Sequence, residues 1–102
     1  MKQLLISEQE YQIVQTVLRQ CIPQRTVWAF GSRAGGQPKP YSDLDLAVLG
    51  EAALSLSEHA DLADAFSESD LPYKVDIVDW HLIGDDFRRI VQANHIEIQT
   101  AE

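Results

Sequence analysis

The stretch WAFGSRAGGQPKPYSDLDLAVL, residues 28–49, decides how this chain is organised. It opens on an apolar run, which predicts a buried strand over residues 26–30. A loop rich in Gly and Pro follows, and a second strand is predicted over residues 43–49. In that second strand Asp43 and Asp45 stand among apolar residues. Two charges in a strand that should pack against a core need a functional explanation.

The rest of the chain alternates between helical and strand patterns. Ser7 with Glu10, and Ser55 with Glu58, have capping-box spacing, so each pair predicts the start of a helix. Ser57 is a competing cap for the second helix. The predicted elements are a helix that begins at Ser7 and is ended by Pro23, a helix over about 56–69, a strand over Tyr73–Trp80, a helix over 84–93 and a short edge strand over 96–99.

This order of elements predicts an α/β fold in a single domain over residues 1–102. We expect a single small core, with a mixed sheet of three to four strands flanked by about four helices. About a dozen residues link the first two strands, so this linker is either a crossover or a wide hairpin. In the last helix we expect Phe87, Ile90 and Val91 to face inward.

The composition narrows the class of ligand. The formal net charge is −8 and the pI is about 4.6, whereas nucleic-acid binders normally carry a basic surface. The sequence therefore argues against direct binding of nucleic acid. No apolar run approaches about 18 residues, so we expect no membrane span. A single cysteine, Cys21, excludes an internal disulfide and fits a reducing cytoplasm, where we expect the protein to be located.

The two aspartates of the second strand share one face. Side chains alternate along a strand, so Asp43 and Asp45 lie roughly 6.5 Å apart on the same side. Leu44, Leu46 and Val48 then point to the other face and can pack against a helix. Two anions this close repel each other, and a divalent cation relieves the repulsion. The pair therefore predicts a Mg²⁺ site, since Mg²⁺ binds one or two carboxylates together with substrate phosphates and water.

The predicted third strand offers two more carboxylates, Asp76 and Asp79. Val75 and Ile77 form a natural core face, so Asp76 points the other way and is the better third ligand. Asp79 has the core-facing phase, but it lies near the strand end, where it could escape to solvent. Three carboxylates can hold two metal ions about 3.5–4 Å apart. The predicted metal ligands and catalytic residues are Asp43, Asp45 and Asp76.

Gly31 and Ser32 follow directly after the first predicted strand. Glycine lets the backbone approach a ligand closely because it has no Cβ. The amides of a turn can cradle a phosphate, and the Ser32 hydroxyl can donate to it. Alone, Gly-Ser would be read as an ordinary turn; with the acidic pair downstream it predicts a phosphate site.

The combination of these motifs resembles a known family. Gly31-Ser32, ten further residues and then Asp43-Leu44-Asp45 look like the signature of the DNA polymerase β-type nucleotidyltransferase superfamily. More narrowly, the chain resembles the minimal nucleotidyltransferase (MNT) proteins. The matching segments are FGSRA at 30–34, YSDLDLAV at 41–48, AFSESDLP at 65–72 and VDIVDW at 75–80.

The resemblance implies transfer of a nucleoside monophosphate from an NTP, usually ATP, to a hydroxyl, with release of pyrophosphate and with Mg²⁺ as cofactor. It implies that the three aspartates bind the metal and that Gly31 and Ser32 hold the triphosphate. Many members carry Arg or Lys where this chain has Gly35, so Arg33 or Lys39 is expected to supply the missing charge. The predicted nucleotide-binding residues are Gly31, Ser32 and Arg33.

The resemblance also implies a partner. MNT proteins commonly form complexes with a helical HEPN protein encoded nearby, which is often a ribonuclease toxin. The expected function is therefore an antitoxin that transfers AMP to a hydroxyl on its HEPN partner. The alternative is a weak or inactive MNT subunit that neutralises or assembles with the partner by binding alone. Transfer to a small molecule is a third reading, disfavoured because the chain shows no second domain for such an acceptor.

Overall fold

The structure, a computed structural model, describes residues 4–102 and shows three α-helices around a four-stranded sheet. Residues 1–3 of the predicted domain lie outside this description. Two three-residue 3-10 turns complete the helical content of the described chain, where about four helices were expected. The predicted class, a small α/β fold with a mixed sheet, is confirmed. The elements are α1 (Glu8–Cys21), β1 (Val27–Phe30), β2 (Leu44–Val48), α2 (Leu56–Ser67), β3 (Val75–Asp79), α3 (Asp85–Ala93) and β4 (His95–Gln99).

Both predicted capping boxes are present and begin α1 and α2. At α1 the Glu10 amide donates to Ser7 Oγ over 3.1 Å, and the Ser7 amide donates to Glu10 Oε1 over 3.0 Å. At α2 the same two bonds join Ser55 and Glu58, at 3.0 and 2.9 Å, so Ser57 is not the cap. These bonds satisfy amides that a helix start leaves without partners. The starts of both helices are therefore encoded locally.

The sheet has the strand order β3-β2-β1-β4. β1 pairs antiparallel with β2 and with β4, whereas β2 and β3 are parallel. The linker between β1 and β2 is therefore a wide hairpin and not a crossover. The parallel strands are connected through α2, as parallel pairing requires. β4 lies at an edge, as predicted.

One face of the sheet packs against α1 and α2. The predicted alternation is confirmed on β2, where Leu44, Leu46 and Val48 are fully buried on this side. On β3, Val75 and Ile77 pack against the same core. Asp45 of β2 and Asp76 of β3 consequently point to the opposite face.

The opposite face is covered only in part, by α3. Val91 of this helix packs against Phe30 and Ala47. The prediction that Ile90 faces inward is wrong, since it is 67% exposed. Phe87 faces the sheet at its margin: it is 40% exposed, and its ring lies edge to face with that of Phe30, with centroids 5.8 Å apart. α3 has nine residues, too few to cover four strands, so part of this face stays accessible. Within the described part of the chain, no helix has the length and apolarity needed to cross a membrane.

Candidate active site

The antiparallel pairing of β1 with β2 brings the predicted phosphate turn to the predicted carboxylates. Phe30, the last residue of β1, pairs with Asp45, so the 3-10 turn Gly31–Arg33 begins directly beside Asp45. Gly31 has a φ of 76°, a conformation that favours glycine. A Cβ on Gly31 would also collide with Oδ2 of Asp45. The backbone approaches this carboxylate so closely that only glycine fits.

Asp45 and Asp76 lie next to each other across the parallel strands β2 and β3. Paired residues of neighbouring strands point to the same face, with backbones about 4.8 Å apart. Asp45 is partly exposed and Asp76 is exposed. The structure thus places Asp76 where the alternation of the third strand predicted it, beside the first carboxylate pair.

The pKa of Asp45 is raised from its ordinary value of 3.8 to about 6. Burial is the largest cause, and the charges of Asp76 and then Asp43 raise the pKa further. Both neighbours are therefore near enough for their charges to act on the Asp45 carboxyl. Two ion pairs occur within residues 4–102, and neither involves these aspartates. No charged partner in the described chain offsets their repulsion.

The three carboxylates suit a divalent cation by their chemistry, because oxygen ligands of like charge are stabilised by it. Asp43 precedes the first residue of β2 and is exposed. Among the residues that the structure describes, however, no three carboxylate, imidazole or thiolate groups are gathered into a ready-made metal site. The arrangement is a pair, Asp45 and Asp76, with Asp43 at its margin. Metal binding by all three requires side-chain adjustment.

Ser32 is half-buried in the turn that follows β1. Its carbonyl accepts from the Gly36 amide over 2.9 Å, which anchors its backbone. Its hydroxyl makes no hydrogen bond to any residue from 4 to 102. The hydroxyl is therefore available to a ligand beside the carboxylates.

Arg33 does not lie at the carboxylates. It is only 6% exposed, and its guanidinium lies over the ring of Tyr73, which packs against the α1 and α2 core. The predicted role of Arg33 in nucleotide binding loses its support, because its side chain is turned inward and bonded to backbone. Lys39, the other basic residue of this loop, is exposed. Four backbone carbonyls accept from the guanidinium, those of Leu5, Lys39, Pro40 and Ser42.

Asp79 is a second correction. It is 6% exposed, so it does not use the route to solvent that its place near the strand end could offer. Its carboxylate accepts from the amides of Leu54, over 2.7 Å, and His81, over 2.9 Å. A carboxylate at the end of a strand can be buried when backbone amides converge on it. Here the Leu54 amide, just before α2, is one such donor. Asp79 therefore ties α2 to the end of β3, away from the carboxylate pair.

A groove of about 790 Å³ lies at the opposite end of the sheet from the carboxylates. Its polar lining includes Arg25, which is 8% exposed and donates to the carbonyls of Ala52 and Ala53. No pattern in the sequence marks Arg25, whose bonds hold the loop before α2. We place the candidate active site at the carboxylates instead, because perturbed titratable groups mark functional sites better than volume does.

Comparison with known sequences agrees with this geometry. A family model described as Polymerase beta, Nucleotidyltransferase matches residues 12–101. A protein of Haemophilus influenzae, named Probable protein adenylyltransferase MntA, is 49% identical over 100 residues, which are 98% of this chain and 88% of that protein.

Solved structures share the fold. A crystal structure of a toxin-antitoxin with AMP-PNP has a TM-score of 0.72 and 26% identity, and the match covers 90% of this chain and 74% of that chain. A structure of a tri-AMPylated Shewanella oneidensis HEPN toxin in complex with MNT antitoxin has a TM-score of 0.69 and 26% identity, over 93% of this chain and 74% of that chain. The chain therefore belongs to the polymerase β-type nucleotidyltransferases and, within them, to the minimal nucleotidyltransferase group that includes MntA.

Proposed function

We propose that this protein is an antitoxin that transfers AMP from ATP to a hydroxyl on a helical HEPN toxin partner. The Haemophilus influenzae relative is named as a protein adenylyltransferase, and the Shewanella oneidensis structure contains a HEPN toxin that carries AMP groups beside an MNT antitoxin. The proposed complex is a hetero-oligomer. Its proposed location is the cytoplasm, where ATP is available.

The observation that carries the proposal is the meeting of two motifs on one accessible face. Pairing of β1 with β2 sets the Gly31–Ser32 turn against Asp45, and pairing of β2 with β3 adds Asp76. A phosphate cradle and a carboxylate pair are the parts that nucleotidyl transfer needs. Because Asp43 and Asp76 are exposed, an acceptor as large as a protein can approach them.

In the proposed reaction the turn amides and the Ser32 hydroxyl hold the terminal phosphates of ATP. The acceptor oxygen forms a bond to the α-phosphorus, while the bond from that phosphorus to the bridging oxygen of pyrophosphate breaks. The proton of the acceptor hydroxyl passes to Asp76, which is exposed to the approaching partner. Most of the rate enhancement comes from positioning and from stabilisation of charge.

We propose Mg²⁺ as the cofactor and Asp43, Asp45 and Asp76 as its ligands. When bound, Mg²⁺ neutralises charge on the triphosphate and on the departing pyrophosphate. The protein contributes an Asp45 carboxyl whose pKa of about 6 leaves it ionised at neutral pH. It also contributes a second carboxylate at the paired position of β3.

The test uses the full chain, a HEPN protein encoded beside its gene, Mg²⁺, and ATP labelled at either the α- or the γ-phosphate. We expect the partner to acquire label from the α-phosphate only, and we expect Asp45→Asn to abolish the labelling. A folded wild-type protein that leaves its partner unlabelled overturns the proposal. Label from the γ-phosphate would instead indicate phosphorylation.

One observation favours a second candidate, an antitoxin that acts by binding alone. Gly35 stands where many relatives carry a basic residue, and Arg33 is turned inward, so Lys39 is the one outward basic side chain of residues 31–42. The double variant Asp43→Asn, Asp45→Asn separates the two candidates. If the folded double variant still neutralises the partner fully in cells, binding carries the function. If it forms the complex but no longer neutralises, the transfer chemistry does.

A further inference from the structure

Arg33 is a buried cation without an acidic partner in the described part of the chain. It is 6% exposed, and neither of the two ion pairs found there includes it. Its Nε donates to the Ser42 carbonyl over 2.8 Å, and its Nη1 donates to the Leu5 carbonyl over 3.1 Å. Its Nη2 donates to the carbonyls of Lys39 and Pro40, both at 3.2 Å. Carbonyl dipoles from separate segments therefore balance the charge.

The bond between Arg33 and Ser42 closes the loop that separates the two site motifs. Arg33 directly follows Ser32 of the phosphate turn, and Ser42 directly precedes Asp43. The bond thus joins the two ends of a loop rich in Gly and Pro, next to Ser32 at one end and Asp43 at the other.

Arg33 also contacts the segment that carries Asp76, through the ring of Tyr73. The guanidinium lies 3.9 Å from the ring centroid. Tyr73 is three residues before Asp76, and its hydroxyl donates to Glu10 over 3.1 Å, which holds the ring against α1. One side chain therefore touches the flank of every segment that supplies a candidate site residue.

We infer that Arg33 is a positioning residue that holds the Ser32 turn, the Asp43 segment and the Asp76 strand in one arrangement. The inference rests on the proposed transferase function for its catalytic consequence, and on contacts alone for its structural part. Lysine cannot replace Arg33, because an ammonium is a point charge that can neither reach carbonyls in several directions at once nor lie flat on a ring.

The chain offers a matched control in Arg25. It is also buried, at 8% exposed, and it donates to backbone carbonyls of the loop before α2, at the other end of the sheet. Arg33→Lys and Arg25→Lys each remove a buried guanidinium that donates to backbone carbonyls, although Arg25 also lies 3.9 Å from Glu58 in an ion pair. We expect Arg33→Lys to lower kcat for AMP transfer by about 10²-fold at saturating ATP, because small misplacements of reacting groups have effects of that size. Arg25→Lys should lower the melting temperature without this loss of kcat.

Amide hydrogen exchange tests the structural part without any need for activity. The Ser42 amide donates to the Lys39 carbonyl over 3.0 Å, and the Leu44 amide donates to the Lys74 carbonyl over 2.9 Å. We expect Arg33→Lys to speed exchange at both amides, and Arg25→Lys to leave them unchanged. If the two variants give the same exchange at these amides, or if Arg33→Lys retains wild-type kcat, the inference is overturned. If the wild type itself transfers nothing, only the proposed function fails, and the exchange result decides the inference.

A second pair of variants applies if Arg33→Lys does not fold. Tyr73→Leu removes the ring beneath the guanidinium, whereas Tyr73→Phe keeps the ring and removes only the hydroxyl that donates to Glu10. We expect faster exchange at Ser42 and Leu44 in Tyr73→Leu than in Tyr73→Phe. Equal exchange in the two variants would show that the ring contact does not position the loop, and would overturn this part of the inference.

Discussion

Asp45 on β2 and Asp76 on β3 are paired residues of neighbouring parallel strands, yet Asp76 is exposed while Asp45 is partly buried beneath the Gly31 turn. The pair concentrates negative charge at the place where a nucleotide would add its phosphates. Burial and this neighbouring charge raise the pKa of Asp45 to about 6. The proposed cation would offset this charge, since neither ion pair of the described residues includes the two aspartates.

The raised pKa of Asp45 predicts how metal-free stability depends on pH. The folded-state pKa of about 6 lies above the ordinary 3.8, so the fold favours the protonated carboxyl. This contribution is fully present below pH 3.8 and is lost as the pH rises through about 6. We expect urea unfolding without metal to show wild type losing stability relative to Asp45→Asn over this range.

Bound Mg²⁺ should oppose this loss of stability at higher pH, because the metal and the proton compete for the Asp45 carboxylate. We expect Mg²⁺ affinity to rise as the pH increases through about 6, and to be lost in Asp45→Asn. Titration of the metal at several pH values, followed by calorimetry, measures this. An affinity that does not change with pH would show that Asp45 is not a ligand.

Gly31→Ala should damage both the fold and the site. A φ of 76° is strained for alanine, and its Cβ would collide with the Asp45 carboxylate. We expect a loss of about 2 kcal/mol or more in the free energy of unfolding, together with loss of AMP transfer. Gly84→Ala is the control, since no atom lies within 4 Å of its added Cβ. Equal losses in both variants would contradict the proposed close approach.

The two aspartates of β3 should have different roles, with Asp79 important for stability and Asp76 for transfer. Asp79→Asn weakens bonds to the amides of Leu54 and His81 in a buried place, so we expect it to lower the free energy of unfolding by about 1–3 kcal/mol. Asp76→Asn changes an exposed side chain, so it should leave stability nearly unchanged and abolish transfer. Chemical denaturation and the labelling assay, run on both variants, measure the two effects. Retained transfer in a folded Asp76→Asn protein would remove Asp76 from the proposed mechanism.

Gly35→Arg tests the departure from the family pattern. Gly35 has a φ of 101°, so any side chain strains the loop, and we expect a loss of about 1–2 kcal/mol in the free energy of unfolding. Gly35→Ala carries the same strain without the charge. If the triphosphate binds at the adjacent turn, the arginine variant should show a lower KM for ATP than the alanine variant. The same KM in both would place the triphosphate elsewhere.

Much of the fold is readable in local patterns. The capping boxes at Ser7 and Ser55 begin helices where they were predicted, because each is a set of contacts within one turn of chain. Alternation put Asp45 and Asp76 on a common face, since the period of a strand is a property of the backbone. The family motifs added the expected chemistry.

The outcomes for Arg33 and Asp79 could not be read in the same way. Arg33 donates to carbonyls of the N-terminal segment and of the loop. Asp79 accepts from the distant Leu54 amide as well as from the nearby His81 amide. Similarly, the helical spacing placed Ile90 on the inward face of α3, but no neighbouring element covers this side chain, which stays exposed. Burial of a charge depends on whether polar partners converge on it, which a local pattern does not contain.

The sequence by itself determined the order and type of the elements, the face on which the aspartates lie and the family to which they point, because these depend on periodicity and on short motifs. Only the tertiary structure decided that the linker after Phe30 is a hairpin, that Gly31 meets the Asp45 carboxylate, and that Arg33 faces inward. Strand pairing and the convergence of backbone dipoles are long-range events. They follow from which surfaces the whole chain can bury together.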